Sequence, residues 1–122
     1  MPLHAELVQR LPGPILLHIC GNTADRIDYI ARAGVAGFHV DTKVPCSTAR
    51  QVACTRLALA GGVNNPQTLY AGTPADVRRD VAAALAARFE IVGPECAVPL
   101  NAPLSQMRAL SDEFFAQTDF AG

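Results

Sequence analysis

Three side chains in this 122-residue chain have the types and spacing to share a metal ion. His18 and Cys20 stand two residues apart at the end of an apolar run, PILLHICGNT, and Cys96 closes a later run, EIVGPEC. Imidazole nitrogen and thiolate sulfur are donors that Zn2+ takes. Three protein donors with a fourth position open describe a catalytic zinc rather than a structural one. Spacing alone leaves a plainer reading beside this one, because a buried His and two buried Cys also occur as ordinary core residues. Other polar groups gather at comparable places: Asp41 after GFHVD, Asn64 and Asn65 after a Gly-Gly-Val turn, and Glu95 beside Cys96. His39 reads as a hydrogen-bonded core group and His4 as an exposed terminal residue. Cys46 and Cys54 lie in a weakly amphipathic stretch and read as small hydrophobes.

The elements that must position these groups alternate regularly. Residues 15–20, 37–41, 56–63 and 90–96 read as strands, and 5–11, 23–33, 47–54 and 104–117 as helices. Asn22 or Thr23 is the expected N-cap of the helix over 23–33, with Ile27, Ile30 and Ala31 on its buried face and Gly34 closing it. A further helix starts at Thr73, with Pro74 in its first turn and Asp76 completing a capping box; Val77, Val81, Ala84 and Leu85 form its buried stripe. In the last helix Leu104, Met107, Leu110 and Phe114 are expected inward, with Phe115 widening that face. Four consecutive βα units imply a parallel sheet with helices packed outside it, half of a TIM-like (β/α)8 barrel. A doubly wound sheet is the rival, and it requires helices on both faces. The whole chain, residues 1–122, then reads as one partial barrel domain.

Strand alternation places Leu16, His18 and Cys20 on the inward face, with Ile15, Leu17 and Ile19 against helices. On the fourth strand Val92, Pro94 and Cys96 share a face. If that face is inward, Cys96 approaches His18 and Cys20 across the barrel mouth. Function in such barrels gathers at the C-terminal strand ends, where all these groups lie.

Composition narrows the classes. A net charge of −1 gives no ground for nucleic acid or an anionic membrane surface as partner. No apolar run approaches the ~20 residues of a membrane span. The start, MPLHAELVQRLPG, has no basic and apolar leader pattern and reads as the tail of a helix, as though the chain begins part-way through a fold. Four cysteines without a CxxC fit reduced thiols and a cytoplasmic setting. GNT after the first strand is not GxGxxG, and no phosphate-loop lysine appears. Half of the residues are hydrophobic, which fits surface meant for a partner as well as core.

The stretches PILLHICGNT, GFHVD, GGVNNPQTLYAGTPADVRRDV and PECAVPLNAPL, in this order, resemble the uroporphyrinogen decarboxylase superfamily. They are most similar to its zinc-dependent branch, the methylcobamide:thiol methyltransferases of the coenzyme M type. The resemblance runs from about Leu11 to Phe115 and covers only the C-terminal part of longer members that form a complete barrel. It implies Zn2+ held by His18, Cys20 and Cys96, with Asp41 near the bound substrate. The family's G-N-x-(N/D)-P segment appears as Gly62-Val63-Asn64-Asn65-Pro66, with the usual Asn replaced or shifted. Decarboxylases proper lack the HxC pattern, which favours the methyltransferase branch.

The reaction so implied moves a methyl group from a methylcobamide, carried by a separate corrinoid protein, to a small thiol. Zinc coordination removes the thiol proton, so no general base is needed. Asp41 and Glu95 are expected to hydrogen-bond His18 or, with Asn64, to position the substrate. Two rivals stand beside this. One is a uroporphyrinogen decarboxylase-like protein of tetrapyrrole biosynthesis. The other is a catalytically silent half barrel. A half barrel exposes two strand edges, so a homo-oligomer or a complementary barrel half is the expected partner.

Overall fold

The computed structural model describes residues 1–118. The order is α1 (Pro2–Arg10), β1 (Leu16–Ile19), α2 (Ile27–Arg32), β2 (Gly37–Val40), α3 (Cys46–Ala53), β3 (Ala58–Val63), a π-helical turn (Asn65–Tyr70), α4 (Pro74–Ala86), β4 (Ile91–Pro94) and α5 (Leu104–Gln117). All strand pairs are parallel and the sheet order is β1-β2-β3-β4. Sequential parallel strands joined by helices on one side are the geometry of a partial TIM-like barrel.

One face of the sheet is dry. Phe38, Val40 and Leu59 pack there against Ile27 and Ile30 of α2, Ala49 and Ala53 of α3, and Ala84 of α4. The other face is open. A Cβ at Gly37 would lie 2.8 Å from Leu16 Cδ1 and 3.3 Å from Ala58 Cβ, so these three positions share that face. Leu16 on β1 is 49% exposed and Ile91 on β4 is 55% exposed. Helices on one face only exclude a doubly wound sheet. Burial of the helix-side cluster drives folding, at roughly 25 cal/mol per Å2 of apolar surface removed from water.

Local chemistry explains most element boundaries. The capping box at α4 forms in full: Thr73 Oγ1 accepts from Asp76 N at 3.3 Å, and Asp76 Oδ2 accepts from Thr73 N at 2.8 Å. At the opposite end of the sheet from the strand tips, Arg50 ties three segments together. Its guanidinium donates to the carbonyls of Cys54 (2.7 Å) and Ala87 (3.1 Å) and to both Glu90 carboxylate oxygens (2.9 and 2.8 Å).

Several expectations need correction. The first helix starts at Pro2, not Ala5, because proline suits a first turn. The helix expected over 23–33 forms only as Ile27–Arg32. Residues 23–26 make a turn first, closed by Arg26 N to Thr23 O at 2.8 Å, and the Asn22 side chain accepts from Ala24 N instead of capping the helix. In α5, Leu104 is 63% exposed while Gln106 is buried at 5%, donating to the carbonyl of Gly72 at 2.9 Å. Phe115 is also exposed, whereas Met107, Leu110 and Phe114 pack against Val77, Val81 and Ala109. Cys46 packs against the core as expected, but Cys54 is exposed at the C-terminal cap of α3 with φ of +52°. His4 is half-buried on α1 rather than exposed. Among the described residues, no helix is long and apolar enough to cross a membrane.

Candidate metal centre

The three HxC…C residues meet at the C-terminal edge of the sheet. One donor atom from each of His18, Cys20 and Cys96 lies within 4.8 Å of the other two. His18 Nε2 is 3.1 Å from Cys20 Sγ, and Cys20 Sγ is 3.6 Å from Cys96 Sγ. His18 stands on the open face, as alternation requires, in register with His39 of β2.

Cys96 arrives by a different route from the one alternation gives. Val92 packs into the helix-side core, while Ile91 pairs with Ala60 and is exposed on the open face. Continued alternation from Val92 would turn Cys96 toward the helices. The strand instead stops at Pro94, and a bend over residues 95–97 brings the thiol to the mouth. Proline has no N–H for the ladder, which makes this an easy place to end a strand.

The surrounding groups lock the donors. His18 Nδ1 lies 3.1 Å from the His39 carbonyl, so it carries the proton and leaves the Nε2 lone pair facing the thiols. That bond goes to a backbone carbonyl, not to Asp41 or Glu95. Asp41 instead accepts from Gly21 N at 2.6 Å and Lys43 N at 2.9 Å, anchoring the turn that follows Cys20. Glu95 is buried at 6% exposure and accepts from Thr42 N (2.7 Å), Asn65 N (2.9 Å) and the Thr42 hydroxyl. Both ends of the Asn64 amide are engaged: Nδ2 donates to Thr42 Oγ1 at 2.7 Å and Oδ1 accepts from Gln67 N at 2.7 Å. Asn65 Nδ2 donates to the Ala97 carbonyl at 2.7 Å, so the residues on both sides of Cys96 are held. Sequence reading passed over Thr42 as an anchor. Its signal was its place directly after a strand that already ended in two polar residues.

The electrostatics suit a cation. Cys20 is pushed above its ordinary thiol value, first by its hydrogen bond with Cys96, then by burial and the negative charges of Cys96, Asp41 and Glu95. A setting that opposes a bare thiolate is relieved by a dication, and two thiolates with one neutral imidazole balance a 2+ charge. The chemistry of the donor set therefore fits a dication such as Zn2+.

Asp41 is shifted the other way. Burial pushes its carboxyl up, but the N–H groups of Lys43 and Gly21, the Lys43 charge and a hydrogen bond with Glu95 outweigh it and hold the carboxyl below its ordinary value. A carboxylate depressed on folding contributes fully above its unfolded value, 3.8 here, and loses that contribution as pH falls through the folded value. Asp41→Asn is therefore expected to lower stability at neutral pH and to flatten the acid limb of the stability curve below about pH 4. Urea titrations at several pH values check this, and a variant curve parallel to wild type contradicts it.

Comparison with known proteins follows the same lines. Residues 1–114 match the profile of the family described as Uroporphyrinogen decarboxylase (URO-D). The chain is 31% identical over 109 residues to a methylated-thiol–coenzyme M methyltransferase of Methanosarcina mazei, covering 89% of this chain and 29% of that protein. It is 28% identical over 105 residues to the methylcobamide:CoM methyltransferase MtaA of Methanosarcina barkeri, covering 83% of this chain and 31% of that protein. The solved structure of a methyltransferase from Methanosarcina mazei superposes with a TM-score of 0.88 at 25% identity, covering 93% of this chain and 34% of that one. The chain thus spans about a third of the length of these relatives.

Proposed function

The chain belongs to the uroporphyrinogen decarboxylase (URO-D) family, and from that membership we propose that it carries the metal-binding part of a methyltransferase active site. The proposed reaction moves a methyl group from a methylated corrinoid, presented by its own protein, to a small thiol. The observation that carries this reading is the meeting of His18, Cys20 and Cys96 within 4.8 Å at the strand ends. His18, Cys20 and Cys96 would hold Zn2+, which would supply the Lewis acidity that makes an acceptor thiol give up its proton.

The chain's own residues do the rest. His18, through Nε2, and the two cysteine sulfurs define where the acceptor's sulfur sits. The His39 carbonyl keeps His18 in the tautomer that presents Nε2. Asp41 and Glu95 fix the turns that follow β1 and β4, so the donors are in place before substrate arrives. His18 and Cys20 are exposed on the open face, which is the side from which thiol and corrinoid approach.

That same open face supports a second part of the reading. Leu16 and Ile91 are uncovered on the face that lines a barrel interior, and the outer edges of β1 and β4 have no strand partner among the described residues. We propose that turnover requires a complementary barrel half or a second copy to close the mouth.

Zinc-loaded protein mixed with methylcobalamin and a small thiol tests both parts. Cob(I)alamin absorbance that depends on thiol and zinc is the expected result once the barrel is completed. Zinc without turnover in the chain alone, with turnover restored by a complementary barrel half, supports the second part of the proposal. Absence of bound zinc together with absence of turnover in the completed barrel overturns the proposal.

A further inference from the structure

β2 supplies no metal donor, yet His39 near its end bonds to one candidate donor residue and to the strand that leads to another. The His39 carbonyl accepts from His18 Nδ1 at 3.1 Å. The two imidazole rings lie 4.5 Å apart between centroids, tilted by 42°. On the other side, His39 Nε2 donates to the Pro94 carbonyl at 2.7 Å, two residues before Cys96. That contact reaches past β3, which lies between β2 and β4.

Gly61 makes the reach possible. A Cβ there would sit 3.2 Å from His39 Cδ2 and 2.8 Å from the Val40 carbonyl, and its φ of +113° is one that side chains rarely adopt. The bare glycine leaves the His39 ring room to lie across β3. A residue that merely filled this space would need no N–H. His39 uses one, and directs it at the last residue of the strand that leads to Cys96.

We infer that His39 is a positioning residue that sets the spacing between His18 and Cys96. Its carbonyl acts on one donor, and its ring N–H acts through Pro94 on the other. The inference rests on the reading of these residues as a zinc site.

Its test uses two substitutions in the full chain with Cys46 and Cys54 changed to serine. His39→Phe keeps ring volume and the main-chain carbonyl but loses the N–H. His39→Gln restores a side-chain N–H donor. H39F is expected to weaken Zn2+ affinity by about 10–100-fold, the usual cost of losing a ligand's supporting contact. The visible bands of the Co2+-substituted protein are expected to lose their tetrahedral intensity. H39Q is expected to recover most of both. An H39F affinity within about twofold of wild type, with an unchanged Co2+ spectrum, overturns the inference.

A metal-free measurement separates this from the zinc reading. Oxidised glutathione converts Cys20 and Cys96 to a disulfide, taking up their two electrons and two protons to become two glutathione thiols. Sulfurs 3.6 Å apart couple readily in wild type. Coupling is expected to slow in H39F and to recover in H39Q, and equal rates in all three overturn the inference. Failure of the wild-type chain to take up zinc counts against the zinc reading alone, and the coupling rates still decide the role of His39.

Discussion

Cys96→Ala is expected to remove zinc from the chain. Wild-type protein should carry about one Zn2+ per chain, and the variant only background. Alanine leaves two donors, His18 and Cys20, both from the end of β1. It also removes one of the two negative charges that balance the dication. The loss should exceed the roughly 100-fold seen when a ligand merely loses its supporting contact. Folding should survive, because Cys96 is only half-buried and its neighbours Glu95 and Ala97 are held by other residues. Metal analysis beside a chelator-treated melting curve separates the two effects. Cys54→Ala is the control, since Cys54 is exposed and donates to the Gln51 carbonyl of the helix it caps. Stoichiometric zinc in C96A would remove Cys96 from the site.

Glu95→Ala should give the largest loss of stability among the polar strand-end residues, about 3 kcal/mol, because it orphans two N–H groups at a cost of about 1–3 kcal/mol each. Those groups are Thr42 N and Asn65 N, from the ends of β2 and β3, and the Thr42 hydroxyl loses its acceptor as well. Glu95→Gln keeps one acceptor oxygen and the side-chain volume, so it should fall between alanine and wild type. Urea unfolding at neutral pH reads the difference as a shift in midpoint at constant slope. Zinc affinity should fall in parallel, although the Glu95 hydrogen bonds go to Thr42 and Asn65 rather than to a donor, because the bend that presents Cys96 begins at this residue. A loss under about 1 kcal/mol would mean that other groups take over the two N–H donors.

Much of this arrangement is legible in the sequence because its signals are local. Alternation over PILLHI is enough to put His18 on the inward face, and Thr73-Pro-Ala-Asp76 announces α4 through a capping box that forms as written. The βα order gives the parallel sheet. What escapes depends on contacts between distant segments. Alternation on β4 gives the wrong side for Cys96, and only the bend after Pro94 corrects it. Leu104 looks like a core residue and Gln106 like a surface one until the carbonyl of Gly72, left free at the end of the π-helical turn, recruits the amide. His39 is readable as a hydrogen-bonded group, but it is half-buried on the open face rather than in the core, and its contacts are two backbone carbonyl relationships that no side-chain pattern encodes.

The 3.6 Å between the Cys20 and Cys96 sulfurs also measures the shape of the sheet. Their strands, β1 and β4, are the outermost of four. Three flat interstrand steps would separate those edges by about 14 Å, at roughly 4.8 Å each. The bend after Pro94 and the reach of the side chains close part of that gap and the curl of a partial barrel the rest, so the donor set is a chord drawn across an arc. A metal ion on this chord would act as a mechanical brace. It would join the two outer strands directly, without passing through the hydrogen bonds of β2 and β3, and would tie fraying at either edge to the other. Any partner docking on the open face would then meet a curvature fixed at the strand tips and softer at their opposite ends.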